Sequence, residues 1–267
     1  MKSKIDLSKI KQIEAEFKKL QKRHKQQNTE EIMSDGILCI EKYTAAKIRI
    51  MWVLKQNIHW GDNYDYAKQI KKQISDINSV MIWRRLARAS YGFLSKERNF
   101  ETIESLDISK LEQSLLSTAI IEVNKELSSE TQSLDHSVKE GYEKYKDLVK
   151  MQIEAYAPDV VIVCMVGSGE CLKSIAESIY NDFTGKSNFT DKSKDAECGN
   201  SPPKSMDVAW SQVGDKTFLW AYHPSYFGGG STGGITDKDH FDGLMNAFDD
   251  ARAHQRSISR KETVLRG

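Results

Sequence analysis

The segment "DVVIVCMVGSG" (residues 159–169) is the strongest constraint that this sequence places on its fold. Val160 to Val166 are apolar without interruption and mostly β-branched. No polar residue alternates with them, so both faces of the segment must be buried, as in the interior of a parallel sheet. Three more runs share this character: "KIRIMWVLKQN" (47–57), "LLSTAIIEVNK" (115–125) and "KTFLWAYHPS" (216–225). Helical spacing separates them. Ile82, Leu86 and Phe93 recur along 76–94, and Tyr142, Tyr145, Leu148, Val149 and Ile153 along 137–156. Pro158 disfavours continuation of the second of these helices. Further helices are expected over 8–27, 170–183 and 237–254. Such alternation predicts right-handed crossovers and an α/β fold: a three-layer α/β/α sandwich around a central four-stranded parallel sheet.

The 267 residues carry 39 basic and 38 acidic side chains, so net charge selects no partner. The ends are different. Residues 1–27 hold nine Lys/Arg against three acids, and residues 251–267 hold five against one. Basic ends suit contact with a polyanion, and equally a solvated helix face. The expected organisation is a basic N-terminal helix within 1–30, one domain over 31–256, and a basic tail over 257–267. A polar, Gly- and Pro-punctuated insertion over 184–207 interrupts the domain. No apolar stretch approaches the roughly 20 residues of a membrane span, and "MKSKIDLSKIKQIEAEF" has no signal-peptide core. Cys39, Cys164, Cys171 and Cys198 are scattered without a CxxC pair, which argues against a zinc ribbon, a redox dithiol or an iron–sulfur cluster. The reading is a cytoplasmic protein with reduced thiols, no metal and no cofactor.

In an open parallel sheet the ligand lies beyond the carboxyl ends of the strands. That rule selects four short segments: "KQNIHWGDN", "EVNKE", "VGSGE" with Gly167 and Ser168, and "HPSYFGG". In the last, His223 ends an aromatic-rich run, Pro224 fixes the chain direction, and Ser225 offers a hydroxyl. Five glycines follow between Gly228 and Gly234, among them Gly229, and would let a nucleic-acid backbone come close. A Walker-type cradle is excluded by pattern, because no Gly-Lys-Ser/Thr follows. "VGSGE" is too short for a dinucleotide fingerprint. Arg84 and Arg88 lie one turn apart, opposite Ile82, Leu86 and Ala89, and form a candidate phosphate stripe or a solvated outer face.

These motifs resemble the uracil-DNA glycosylase superfamily over roughly residues 37–254. That family ends its first strand in a Gly-Gln-Asp-Pro-like or Gly-x-Asn-Pro-like motif and its last strand in His-Pro-Ser. Here "WVLKQNIHW" matches the first at Gln56 and Asn57, with Lys55 in place of the glycine and Ile58 in place of the proline. "YHPSY" matches the second at His223, Pro224 and Ser225. The resemblance implies a base-excision enzyme acting on DNA, with Asn57 and Gln56 positioning water and His223 donating to the departing base. Trp60 would stack on that base, Glu122 or Asn124 would read it, and Pro224, Ser225 and the glycines would contact phosphates. Two other readings stand beside it. One is a binding module of the same fold that has lost its chemistry, favoured by the substituted first motif and by Glu122. The other is an α/β hydrolase, against which the absence of GxSxG counts.

Overall fold

A computed structural model describes residues 4–27, 31–58, 77, 80–128, 135–166, 170–186, 189, 208–225 and 235–266. Among these residues the order of elements is α1 (Leu7–Gln27), β1 (Gly36–Ile37), α2 (Ile40–Ala45), β2 (Ile50–Ile58), α3 (Met81–Ser95), α4 (Phe100–Glu104) and α5 (Ile108–Leu116). Then follow β3 (Ala119–Ser128), α6 (Asp135–Tyr156), β4 (Val160–Val166), α7 (Glu170–Thr184), β5 (Ala209–Val213), β6 (Lys216–Tyr222) and α8 (Asp237–Arg266).

The chain is an α/β protein, and its sheet is mixed rather than purely parallel. Among the described residues six strands lie in the order β1-β3-β2-β4-β6-β5. β2 runs parallel to both β3 and β4, and β4 runs parallel to β6. Antiparallel strands extend both edges, β1 on β3 and β5 on β6. The four-stranded expectation omitted these edges for separate reasons. β1 has two residues, too few to form a pattern. β5 is the first arm of a hairpin that pairs Val213 with Lys216. Gly214 turns that hairpin at φ +59°, a left-handed conformation that favours glycine.

Side chains on the two faces of the central strands alternate between two cores. Ile50, Trp52 and Leu54 of β2 face one, with α3, α5 and α8 packed over them. Met51 and Val53 face the other, beneath α1, α6 and α7. Helices therefore cover both faces. The indole N–H of Trp52 donates to the Ser90 hydroxyl at 3.1 Å, joining β2 to the buried side of α3. At the amino ends of the strands, Arg49 is ion-paired to Asp159 at 2.8 Å, and the Asp159 carbonyl accepts from Thr217 N–H at 2.9 Å. One carboxylate residue thus ties β2, β4 and β6 together at the end opposite the candidate site. On the α6 face, Lys125 and Asp35 are paired at 2.8 Å, with side chains 0% and 1% exposed, and Lys125 also donates to Gln152 Oε1 at 2.8 Å. Burial pulls this ammonium below its usual range, against the opposing pull of Asp35.

The N-terminal helix expected within 1–30 is α1, and the two chain ends differ. α1 is seated on the domain through buried Ile13 and Phe17. The expected basic tail is instead continuous with α8, which runs unbroken to Arg266.

Candidate functional site

The carboxyl ends of the parallel strands bring together Lys55 of β2, His223 after β6, and the first turn of α6. Lys55 lies 3.6 Å from the Asp135 carboxylate that opens α6. His223 is half-buried, Pro224 buried and Ser225 exposed. The His223 ring folds back onto its own turn, with Nδ1 2.6 Å from the Ser225 hydroxyl and 3.3 Å from the Ser225 backbone N–H. An amide N–H can only donate, so Nδ1 carries a lone pair, and the ring proton of the neutral imidazole sits on Nε2. Burial pushes the His223 pKa down to about 3, and the positive charge of Lys55 pushes in the same direction. His223 is therefore a neutral Nε2–H donor throughout the physiological range.

A second histidine lies within electrostatic reach. His240, in the first full turn of α8, is 1% exposed, and neither ring nitrogen has a hydrogen-bond partner among the described residues. Its pKa is pushed down to about 3 by burial first and by Arg85 next, with His223 contributing and Asp237 opposing. Sequence reading missed both His240 and Arg85. Arg85 is 3% exposed. It donates from Nη1 to the Pro224 carbonyl at 3.0 Å, from Nη2 to the Ile235 carbonyl at 2.7 Å, and from Nε to Asp237 Oδ1 at 2.9 Å.

Asp237 gathers three arginines. Arg84 Nε approaches its Oδ2 at 2.5 Å and Arg88 Nη1 the same oxygen at 3.0 Å. Burial pushes the Asp237 carboxyl upward, but the hydrogen bonds and charges of Arg84 and Arg85 outweigh this and hold it below the ordinary carboxylate range. Arg88 also faces Glu104 at 3.6 Å and lies over the Phe100 ring at 5.3 Å. An open cleft of about 430 Å³ lies alongside, lined by Arg84, Arg88, Phe100, Glu104, Thr236, Asp237 and Lys238. The arginine stripe expected on the outer face of α3 is thus turned toward the start of α8. Arg88 is 7% exposed and committed to carboxylates, so it is neither a solvated face nor an open phosphate contact.

The two candidate base readers are also turned inward. Asn124 pairs in register with Gln56, at the level of the site. Yet its Nδ2 donates to the Ser137 carbonyl at 3.2 Å, and its Oδ1 accepts from Glu126 N–H at 3.1 Å. Gly141 of α6 presses on it so closely that a Cβ there would lie 2.1 Å from Asn124 Cγ. Glu122, paired in register with Leu54, is 3% exposed. Its charge adds to the burial that raises the Cys164 thiol pKa. Glu122 and Asn124 stand in regular register opposite Leu54 and Gln56, and the β2–β3 register shifts only beyond them.

For Gln56 and Asn57 the structure describes only the backbone, within β2. Trp60, Gly167, Ser168, Gly228 and Gly229 lie outside the described residues. Among the described residues, no group of three or more His, Cys, Asp or Glu side chains forms a metal site, and no helix is long and apolar enough to cross a membrane. Comparisons with protein-family models, curated proteins and solved structures find no match to this chain.

Proposed function

We propose that this chain is a uracil-DNA glycosylase-like protein that hydrolyses the N-glycosidic bond of a flipped or single-stranded nucleobase in DNA. The observation that carries the reading is His223, a neutral imidazole locked with its proton on Nε2 at the carboxyl end of β6. Breaking an N-glycosidic bond leaves negative charge on the departing base, chiefly on its carbonyl oxygens. A neutral N–H donor aimed at such an oxygen stabilises that charge without giving up its proton. One well-aligned donor of this kind is worth about 2.7–4 kcal/mol in the transition state. The nearby Lys55 ammonium favours the same anion electrostatically. Parallel strands with β2 and β6 on either side of β4 support the reading, since the two motifs then flank one end of the sheet. Asn57, with Gln56, would orient the attacking water, Trp60 would stack on the base, and extrusion of the base from a duplex costs a few kcal/mol.

The DNA-contacting part of the proposal falls on Ser225 and the glycines after it rather than on Arg84 and Arg88, whose guanidinium groups are held by Asp237. One observation favours a second reading, a nucleic-acid or nucleotide-binding module of the same fold without chemistry. The Asn124 amide is spent on backbone groups and Glu122 is buried, so neither presents itself to a base. Base release from single- and double-stranded oligonucleotides carrying uracil, hypoxanthine or a mismatch separates the two. Release on any of these supports the enzyme. Salt-sensitive DNA binding without release supports the module, and absence of both rejects the two together.

A further inference from the structure

We propose that Arg85 is the positioning residue of His223, a role that rests on His223 being the donor of the proposed reaction. The geometry points to it from both sides of the segment 226–234. One guanidinium reaches the Pro224 carbonyl, in the residue after His223, and the Ile235 carbonyl, in the residue where the described chain resumes. Its third edge is fixed by Asp237, which opens α8. Two neutral carbonyls and one carboxylate use all three edges of the planar fork, an arrangement that a lysine ammonium cannot reproduce.

The consequence for His223 is local and specific. The ring is oriented by Ser225 N–H and the Ser225 hydroxyl, both on the far side of Pro224 from the ring. Those two bonds hold Nδ1 only while the turn 223–225 keeps its shape, and the Pro224 carbonyl is the handle by which Arg85 holds it. The guanidinium also sets the electrostatics behind the turn. Burial first and its charge next keep His240 neutral, and His223 adds to that effect. Asp237 and Arg85 act on His240, Arg84 and Arg88 are paired to the same Asp237 carboxylate, and Lys55 of β2 acts on His223.

The test is the tautomer of His223, read from the ring ¹⁵N shifts of histidine-labelled protein with His223→Gln as the assignment control. Wild type should show an unprotonated Nδ1 and a protonated Nε2. In Arg85→Lys, which keeps a cation opposite Asp237, the ratio of the two tautomers should shift toward Nδ1–H by roughly fivefold, what one net hydrogen bond contributes. Arg84→Gln loses an ion pair to the same Asp237 without touching Pro224, and should leave the His223 shifts in place. Unchanged shifts in Arg85→Lys overturn the proposal. So do equal changes in the two variants, which would make the effect one of general loosening. An Arg85→Lys chain that fails to fold also counts against it, since Arg85 would then have no effect on His223 separable from the core. The shifts are read without substrate. A moved tautomer in a protein that releases no base keeps the positioning role and rejects the glycosylase reading.

Discussion

Replacing His240 with leucine should flatten the acid side of the stability profile, and the size of the effect follows from linkage. In the unfolded chain His240 titrates at its ordinary value of 6.5, and in the folded protein at about 3. Its folded pKa is depressed, so its contribution is fully present above 6.5 and is lost as pH falls from 6.5 toward 3, where only the unfolded state takes up the proton. At about pH 5 the unfolded form is favoured by RT ln(1 + 10^1.5), about 2 kcal/mol, against less than about 0.1 kcal/mol at pH 7.5. While the folded value stays below about pH 4, the unfolded value sets this difference almost alone. Urea unfolding of wild type and His240→Leu at the two pH values checks it. The carboxylates cancel in the comparison, so the wild type should lose about 2 kcal/mol more than the variant on acidification. Near pH 7.5 the variant should be no less stable, because leucine replaces two ring nitrogens that have no partner among the described residues. Parallel losses in the two proteins would refute the reasoning, since His240 would then take up its proton equally in both states.

Two substitutions test the packing around the site. Gly141→Ala forces a Cβ to within 2.1 Å of the Asn124 amide carbon and should cost about 1–3 kcal/mol in urea unfolding, as overpacking does. Lys125→Met leaves the Asp35 carboxylate, 1% exposed, without its cation and should cost about 3–5 kcal/mol. Adding Asp35→Leu to it should recover part of that loss, and an additive double mutant would show that the pair is not coupled.

What could be read in the sequence was whatever one segment declares by itself. The apolar run of β4 and the helical stripe of α6 are local patterns, and their positions follow from periodicity within a few residues. The hairpin β5–β6 was also written locally, in Gly214-Asp215 between two short arms. It went unread because the polar stretch before it looked like one continuous insertion. His223 was legible because His-Pro-Ser at a strand end is a compact motif. Arg85 and His240 were not, because their meaning lies in contacts across the fold. From Arg85 to Pro224 the separation is 139 residues, and to Asp237 it is 152. In α3 the amphipathic pattern put Arg84 and Arg88 on a polar face. Nothing local says that Asp237 would cap that face and bury it. Asn124 failed in the same way. Strand alternation gave it the face of Glu122, and nothing local says that Ser137 and Gly141 of α6 would close over its amide.

The most direct measurement is the single-turnover rate of base release from a uracil-containing single-stranded oligonucleotide, for wild type and His223→Ala at equal protein saturation. Loss of one preorganised donor predicts a rate lower by about 10²- to 10³-fold in the variant, with DNA affinity nearly unchanged. The wild-type rate should not fall from about pH 8 to pH 5 through His223, because its pKa near 3 keeps the imidazole neutral over that range. Release by wild type that His223→Ala leaves intact would contradict the account, whatever base is preferred.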